Sequence, residues 1–130
     1  MEYHMVDRCS FVPRSPLKDL QKRFGNLKNK HEQLEKFYLY QGDEDRVSIG
    51  LDDDNPYVAN GADLYLARFI SRNIKQGYYV QLSFMDSDGS SRWGFLMTVG
   101  SVRPLYLAWT LDDSSNMLVE DYLRVYGLKN

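Results

Sequence analysis

Cysteine occurs once in this 130-residue chain, at Cys9. No intramolecular disulfide can form, and the composition suits a reducing compartment. Histidine is nearly as scarce, with only His4 and His31. With Cys9 they match no structural zinc spacing, which pairs ligands about two to five residues apart. A hydroxyl or thiol nucleophile needs a base beside it. Both histidines lie near the N-terminus, and Ser83, Ser90, Ser91 and Cys9 carry no local nucleophile signature. The glycines between Gly89 and Gly100 do not take the spacing of a phosphate-cradling loop. No catalytic residue, metal ligand or cofactor-binding residue is therefore assigned, and an enzyme is not the expected reading.

Long apolar runs are also missing. None approaches the roughly 20 residues that cross a bilayer. Met1 to Phe11 lacks a basic region followed by an apolar one, so no secretory signal and a cytoplasmic location are expected. The acidic clusters at 43–45 and 52–54 fail as Ca²⁺ loops of the helix-loop-helix type, which need Gly at position six and Glu at position twelve. Counting from Asp43 places Ser48 and Asp54 there, and counting from Asp86 places Ser91 and Met97.

What is present describes one globular α+β domain over residues 1–130. The chain is 43% hydrophobic and 26% charged, with ten tyrosines. That is enough apolar content for a core without metals or disulfides. The net charge of −2 hides an asymmetry. Residues 1–36 carry eight Lys/Arg against five Asp/Glu, and residues 37–66 carry one against seven. The balance argues against a general nucleic-acid binder, while the local fields stay open to use.

Residues 78–111 alternate with a period of two. Tyr78, Val80, Leu82, Phe84, then Trp93, Phe95, Met97, Val99, then Leu105, Leu107, Trp109, Leu111 share one face. The expected architecture is an antiparallel sheet of four or five strands around this meander, with Gly100-Ser101 as its second turn. About three helices, at 15–36, 61–76 and 116–127, pack on its Trp93/Trp109 face. Ser15 is a suitable N-cap for the first helix, with Pro16 at its first position, and Asn60 suits the second. The stripe Leu17, Leu20, Phe24, Leu27, His31, Leu34, Tyr38 has helical spacing. Phe37, Tyr38, Leu39 and Tyr40 either end the first helix or form a strand, and a hairpin with Val47 to Leu51 around Gly42-Asp43-Glu44-Asp45 is the favoured reading. Residues 1–14 show no period and suit an arm or an edge strand.

The second face of the meander carries one charge, Arg92, in twelve positions. Faces depleted in charge and holding Tyr and Met resemble interface centres. The expected function is a non-enzymatic protein-binding module: an adaptor, inhibitor or immunity-type protein. Its partner-binding residues are Tyr79, Gln81, Met85, Arg92, Leu96, Thr98 and Tyr106 on the sheet, with Asp52, Asp53 and Asp54 from an acidic loop. The partner is a protein or a second copy of the chain, and the face is covered by it or by the N-terminal arm. One alternative is a small ligand held between sheet and helix. Another is nucleic acid on the basic first helix, through Lys18, Lys22, Arg23, Lys28, Lys30 and Lys36, with Tyr79 and Tyr106 stacking bases.

Overall fold

A computed structural model describes residues 3–6, 8–52, 57–86, 92–105, 123–124 and 126–129. The elements are β1 (Tyr3–Met5), β2 (Cys9–Phe11), α1 (Leu17–Lys30), a 3-10 turn (Glu32–Leu34), β3 (Phe37–Gln41), β4 (Val47–Leu51), β5 (Tyr57–Val58), α2 (Ala62–Asn73), β6 (Val80–Asp86), β7 (Arg92–Thr98) and β8 (Ser101–Leu105). The fold is α+β, but the strands form two antiparallel sheets rather than one. The larger has the order β5-β1-β6-β7-β8 and the smaller β2-β4-β3. Among the described residues there are two α-helices, not three. No helix among them is long and apolar enough to cross a membrane.

The split into two sheets arises at the N-terminus. The first strand is no loose arm: β1 lies between β5 and β6 and pairs with both. The chain then leaves the larger sheet, and Cys9, Ser10 and Phe11 pair with β4 at the edge of the smaller one. One apolar cluster spans both sheets and both helices, with Phe11, Leu20, Phe37, Ile49, Ile70 and Phe84 fully buried in it.

Alternation sets the central hairpin as expected, pairing Val80 with Met97, Leu82 with Phe95 and Phe84 with Trp93. The next strand departs by one residue. Thr98 pairs with Ser101, so Val99 and Gly100 make the turn, and Gly100 takes φ +71°, which glycine adopts without strain. A one-residue shift reverses every side chain of a strand. Val102 therefore joins the main core, while Leu105 faces the other side with Leu96. Val99, expected in the core, is exposed in the turn. Leu107, Trp109 and Leu111 lie outside the described residues.

The first helix stops at Lys30 rather than near residue 36. His31 is extended and the chain reverses through the 3-10 turn. Leu34 and Tyr38 continue the helical spacing, but the reversal lets Leu34, Phe37 and Leu39 all enter the core. The hairpin forms as expected, with Phe37 opposite Leu51 and Gln41 opposite Val47. Neither expected N-cap operates. Pro16 occupies the cap position of α1, and the Ser15 hydroxyl accepts from Arg23 instead. Gly61, at φ +90°, leads into α2 without a side-chain cap.

The closing helix of 116–127 falls mostly outside the described residues. Its end is described: the Leu128 N–H donates to the Leu123 carbonyl (3.1 Å) and the Gly127 N–H to Arg124 (3.3 Å). With Gly127 at φ +62°, these two bonds make a Schellman stop. Beyond it the Lys129 carbonyl accepts from the Tyr79 N–H, at 2.6 Å, which ties the C-terminal segment to the start of β6.

Cys9 is fully enclosed, and burial pushes its thiol from the ordinary 9.0 up to about 12. Burial, and secondarily the charge of Asp63, raise Tyr3 from 10.0 to about 12 as well. In both cases the folded state favours the neutral form. Below pH 9 the two states bind the same protons and stability is unaffected. Above it the unfolded thiol ionises first, so stability falls as pH rises from 9 towards 12. Urea midpoints measured at pH 8 and pH 10 should therefore drop, and Cys9→Ala should drop less between them. An equally steep fall in the variant would show that the thiol is not responsible.

Candidate functional site

Gln81, Met85, Arg92, Leu96 and Thr98 share one face of the β6–β7 hairpin, as alternation predicts, while Asp52 lies apart from them. Leu96 is 1% exposed and packs with Leu105 beneath Tyr79 and Leu123. At this point the uncharged face is covered by the chain's own C-terminal segment. Gln81 stands opposite Leu96, and Met85 opposite Arg92, all on the central hairpin. Gln81, Met85, Arg92, Thr98 and Tyr79 are each half-buried. Tyr79 and Gln81 border a cleft of about 340 Å³ with Arg8, Ser10 and Arg46. Asp52 lies elsewhere, beside the smaller sheet, in a cleft of about 460 Å³ whose walls mix Lys28 and Lys36 with Glu35. Tyr106, Asp53 and Asp54 lie outside the described residues. Among the described residues no three His, Cys, Asp or Glu side chains come together as metal ligands would.

Strand addition at the β3 edge of the smaller sheet is opposed by α1. The Lys28 ammonium donates to the Phe37 carbonyl (2.7 Å) and the Gln21 amide to the Leu39 carbonyl (3.2 Å). Both carbonyls belong to β3, the last strand of its sheet, and α1 thus shields the edge.

A different cleft joins chemistry that the sequence disperses. It lies between α1 and α2, with a volume of about 250 Å³, and is lined by Arg14, Arg23, Asn26, Leu27, Lys30, Phe69, Arg72 and Asn73. The helices meet through Phe24 against Phe69, ring centres 5.1 Å apart, and His31 stacked on Tyr65 at 3.9 Å. Arg23, Asn26, Leu27 and Lys30 are three, four and seven residues apart, so they form one stripe of α1. Phe69, Arg72 and Asn73 form the matching stripe of α2. Arg14 reaches in from the segment ahead of α1.

Four cations and no acid line this cleft. Among the described residues none of the four forms an ion pair; Arg14 bonds to one carbonyl, and Arg23 to an amide oxygen and a hydroxyl. Arg14 Nε donates to the Arg72 carbonyl at 2.7 Å. Arg23 Nη1 donates to Asn73 Oδ1 at 3.0 Å and to Ser15 Oγ at 3.3 Å. Asn73 is 3% exposed and fixed in turn, its Nδ2 donating to the Phe69 carbonyl at 2.8 Å.

The end of α2 would ordinarily oppose an anion here, since a helix C-terminus carries partial negative charge. Its last carbonyls are already occupied. Ile70 accepts from the Ile74 N–H, Ser71 from Gly100, Arg72 from the Arg14 side chain, and Asn73 from the Arg14 N–H. The cleft is left electropositive with its acceptors spent.

Part of this site is legible in the sequence. Arg23 and Lys30 belong to the basic first helix, two turns apart. Nothing local marks Arg14, Arg72 or Asn73, because tertiary packing alone brings them together.

Compared with family models, with characterised proteins and with solved structures, the chain matches none.

Proposed function

We propose that this protein is a non-enzymatic binding module that captures an acidic segment of a partner protein in the cleft between α1 and α2. The observation that carries this reading is the set of four cations without a carboxylate around one concave site. Like charges gathered without a counter-charge raise the local potential, and an incoming anion relieves it. The cleft is smaller than the roughly 300–1,000 Å³ that holds a whole small ligand. Its size suits one or two side chains of something larger.

A protein segment fits better than nucleic acid. A single-strand binder combines a basic track with exposed aromatic platforms. The aromatic here, Phe69, is buried as part of the floor.

The test is fluorescence anisotropy with labelled peptides of eight glutamates and of eight lysines at low salt. The glutamate peptide should bind and the lysine peptide should not. Lys30→Glu/Arg72→Glu should weaken binding at least tenfold. Lys18→Glu/Lys22→Glu makes the same charge change outside the cleft and should stay within about twofold of the parent. Equal losses from both pairs would reduce the effect to net charge and sink the proposal, as would no binding at all.

A further inference from the structure

Resting on that acidic-segment reading, we infer that the cleft holds a phosphoryl-binding position between the Arg14 and Arg23 guanidiniums, and that its ligand is a phosphorylated serine or threonine side chain.

A guanidinium carries five N–H groups and accepts nothing. Arg14 spends only Nε, on the Arg72 carbonyl, so the four hydrogens of its two Nη groups have no acceptor among the described residues. Arg23 spends Nη1, on Asn73 and Ser15, which leaves Nε and the two hydrogens of Nη2. The two forks are anchored on adjacent residues, 72 and 73, at the end of one helix. Both side chains are exposed, but each guanidinium is tied through one of its nitrogens. The buried Asn73 amide holds Arg23 and is held by the Phe69 carbonyl, so the anchor is itself fixed. Anchoring of this kind lowers the ordering entropy that a flexible cation loses on binding.

The anion that matches two fixed forks is not a carboxylate. A carboxylate offers two oxygens and one charge, and one arginine fork satisfies it. A phosphate monoester offers three terminal oxygens and a charge of about −1.5 to −2 at pH 7. It accepts from both forks at once, with Lys30 supplying further positive charge at the rim. The planar fork also favours phosphate over what a lysine ammonium would select. The volume of about 250 Å³ is too small for a nucleotide with its base and sugar, and Leu27 and Phe69 give the remaining wall apolar character. That combination suits a short aliphatic stem ending in a phosphoryl group.

The experiment compares three otherwise identical acidic peptides carrying serine, aspartate or phosphoserine at the centre. The wild-type chain should bind the phosphoserine peptide at least tenfold more tightly than the aspartate one. Arg23→Lys keeps the charge and removes the fork, and should bring those two within threefold of each other while the thermal melt stays at the parent value. Arg14→Lys should do the same, which separates loss of the site from an accident at one position. If all three peptides bind equally to the wild-type chain, the phosphoryl position is overturned while the acidic-segment reading stands. If none binds, both fall. Inorganic phosphate that competes as well as the phosphoserine peptide, at equal concentration, would overturn the assignment to a protein side chain.

Discussion

Replacing Trp93 by alanine should destabilise the protein by about 3 kcal/mol, the lower end of the range for removing a packed aromatic. The residue sits on β7, opposite Phe84, and its ring lies 5.1 Å from Tyr3 and 6.0 Å from Phe84. These rings tie β1, β6 and β7 together across the larger sheet. The indole also makes a polar bond: Nε1 donates to Asp63 Oδ2 at 3.1 Å. Asp63 stands in the first turn of α2, so Trp93 connects the sheet to that helix. Removing it empties the space between Tyr3 and Phe84 and takes a donor from a carboxylate close to Tyr3. The two contributions separate in Trp93→Phe, which keeps a ring and loses the donor. That variant should cost about 1.5 kcal/mol, the lower end of the range for one hydrogen bond to a charged group. Urea unfolding measures both. An alanine variant within 1 kcal/mol of the parent would show that Trp93 does not anchor the sheet. For a domain with the usual 5–15 kcal/mol of stability, the expected loss is a large fraction of the whole.

How far the fold is legible in the sequence depends on the range of the interactions that decide it. The β6–β7 hairpin is legible because alternation is local: Val80, Leu82 and Phe84 carry their own instruction. The face of β8 is not, since it turns on whether Val99-Gly100 or Gly100-Ser101 forms the loop. The chain chooses the former, with Gly100 donating to the Ser71 carbonyl of α2. That contact spans the molecule and has no local trace. The end of α1 fails to show for a similar reason. Leu34 and Tyr38 sustain the helical spacing, yet Lys28 and Gln21 bond to carbonyls of the returning strand and need the reversal. The change of sheets between β1 and β2 is hidden in three residues, 6–8, without a proline or glycine to announce it.

The candidate site divides along the same line. Its α1 half is a periodic stripe, open to inspection. Its α2 half and Arg14 become neighbours only because Phe24 packs on Phe69 and the helices run side by side. A basic helix face by itself reads as solvated surface. It becomes a concave site when Arg72 and Asn73 are placed against it.

Leu96→Glu should have the largest effect of any single change considered, at least about 4 kcal/mol, as expected when an unpaired charge is forced into an apolar site. The sparing use of charge around Leu96 first suggests a docking face, on which glutamate would abolish association and spare folding. The packing gives the opposite outcome. Leu96 is 1% exposed, beneath Leu123 and beside Leu105, on the side of the sheet away from Trp93. Its cross-strand neighbours are Gln81 and Arg103. Arg103 already has a partner of its own, which an ion pair with the new carboxylate would have to replace. The glutamate must therefore ionise in the cluster, stay protonated there, or displace the C-terminal segment. Each route costs stability and none needs a second molecule, so the mass in solution should be unchanged. A gentler pair checks the cause. Leu96→Ala and Leu123→Ala remove two sides of one contact, and the double variant should show about 0.5–3 kcal/mol of coupling, as touching residues do. Strict additivity would mean that Leu123 does not cover Leu96. A Leu96→Glu protein that melts within a degree or two of the parent would mean that nothing in the chain covers it. The face would then return to the surface as a site for a partner.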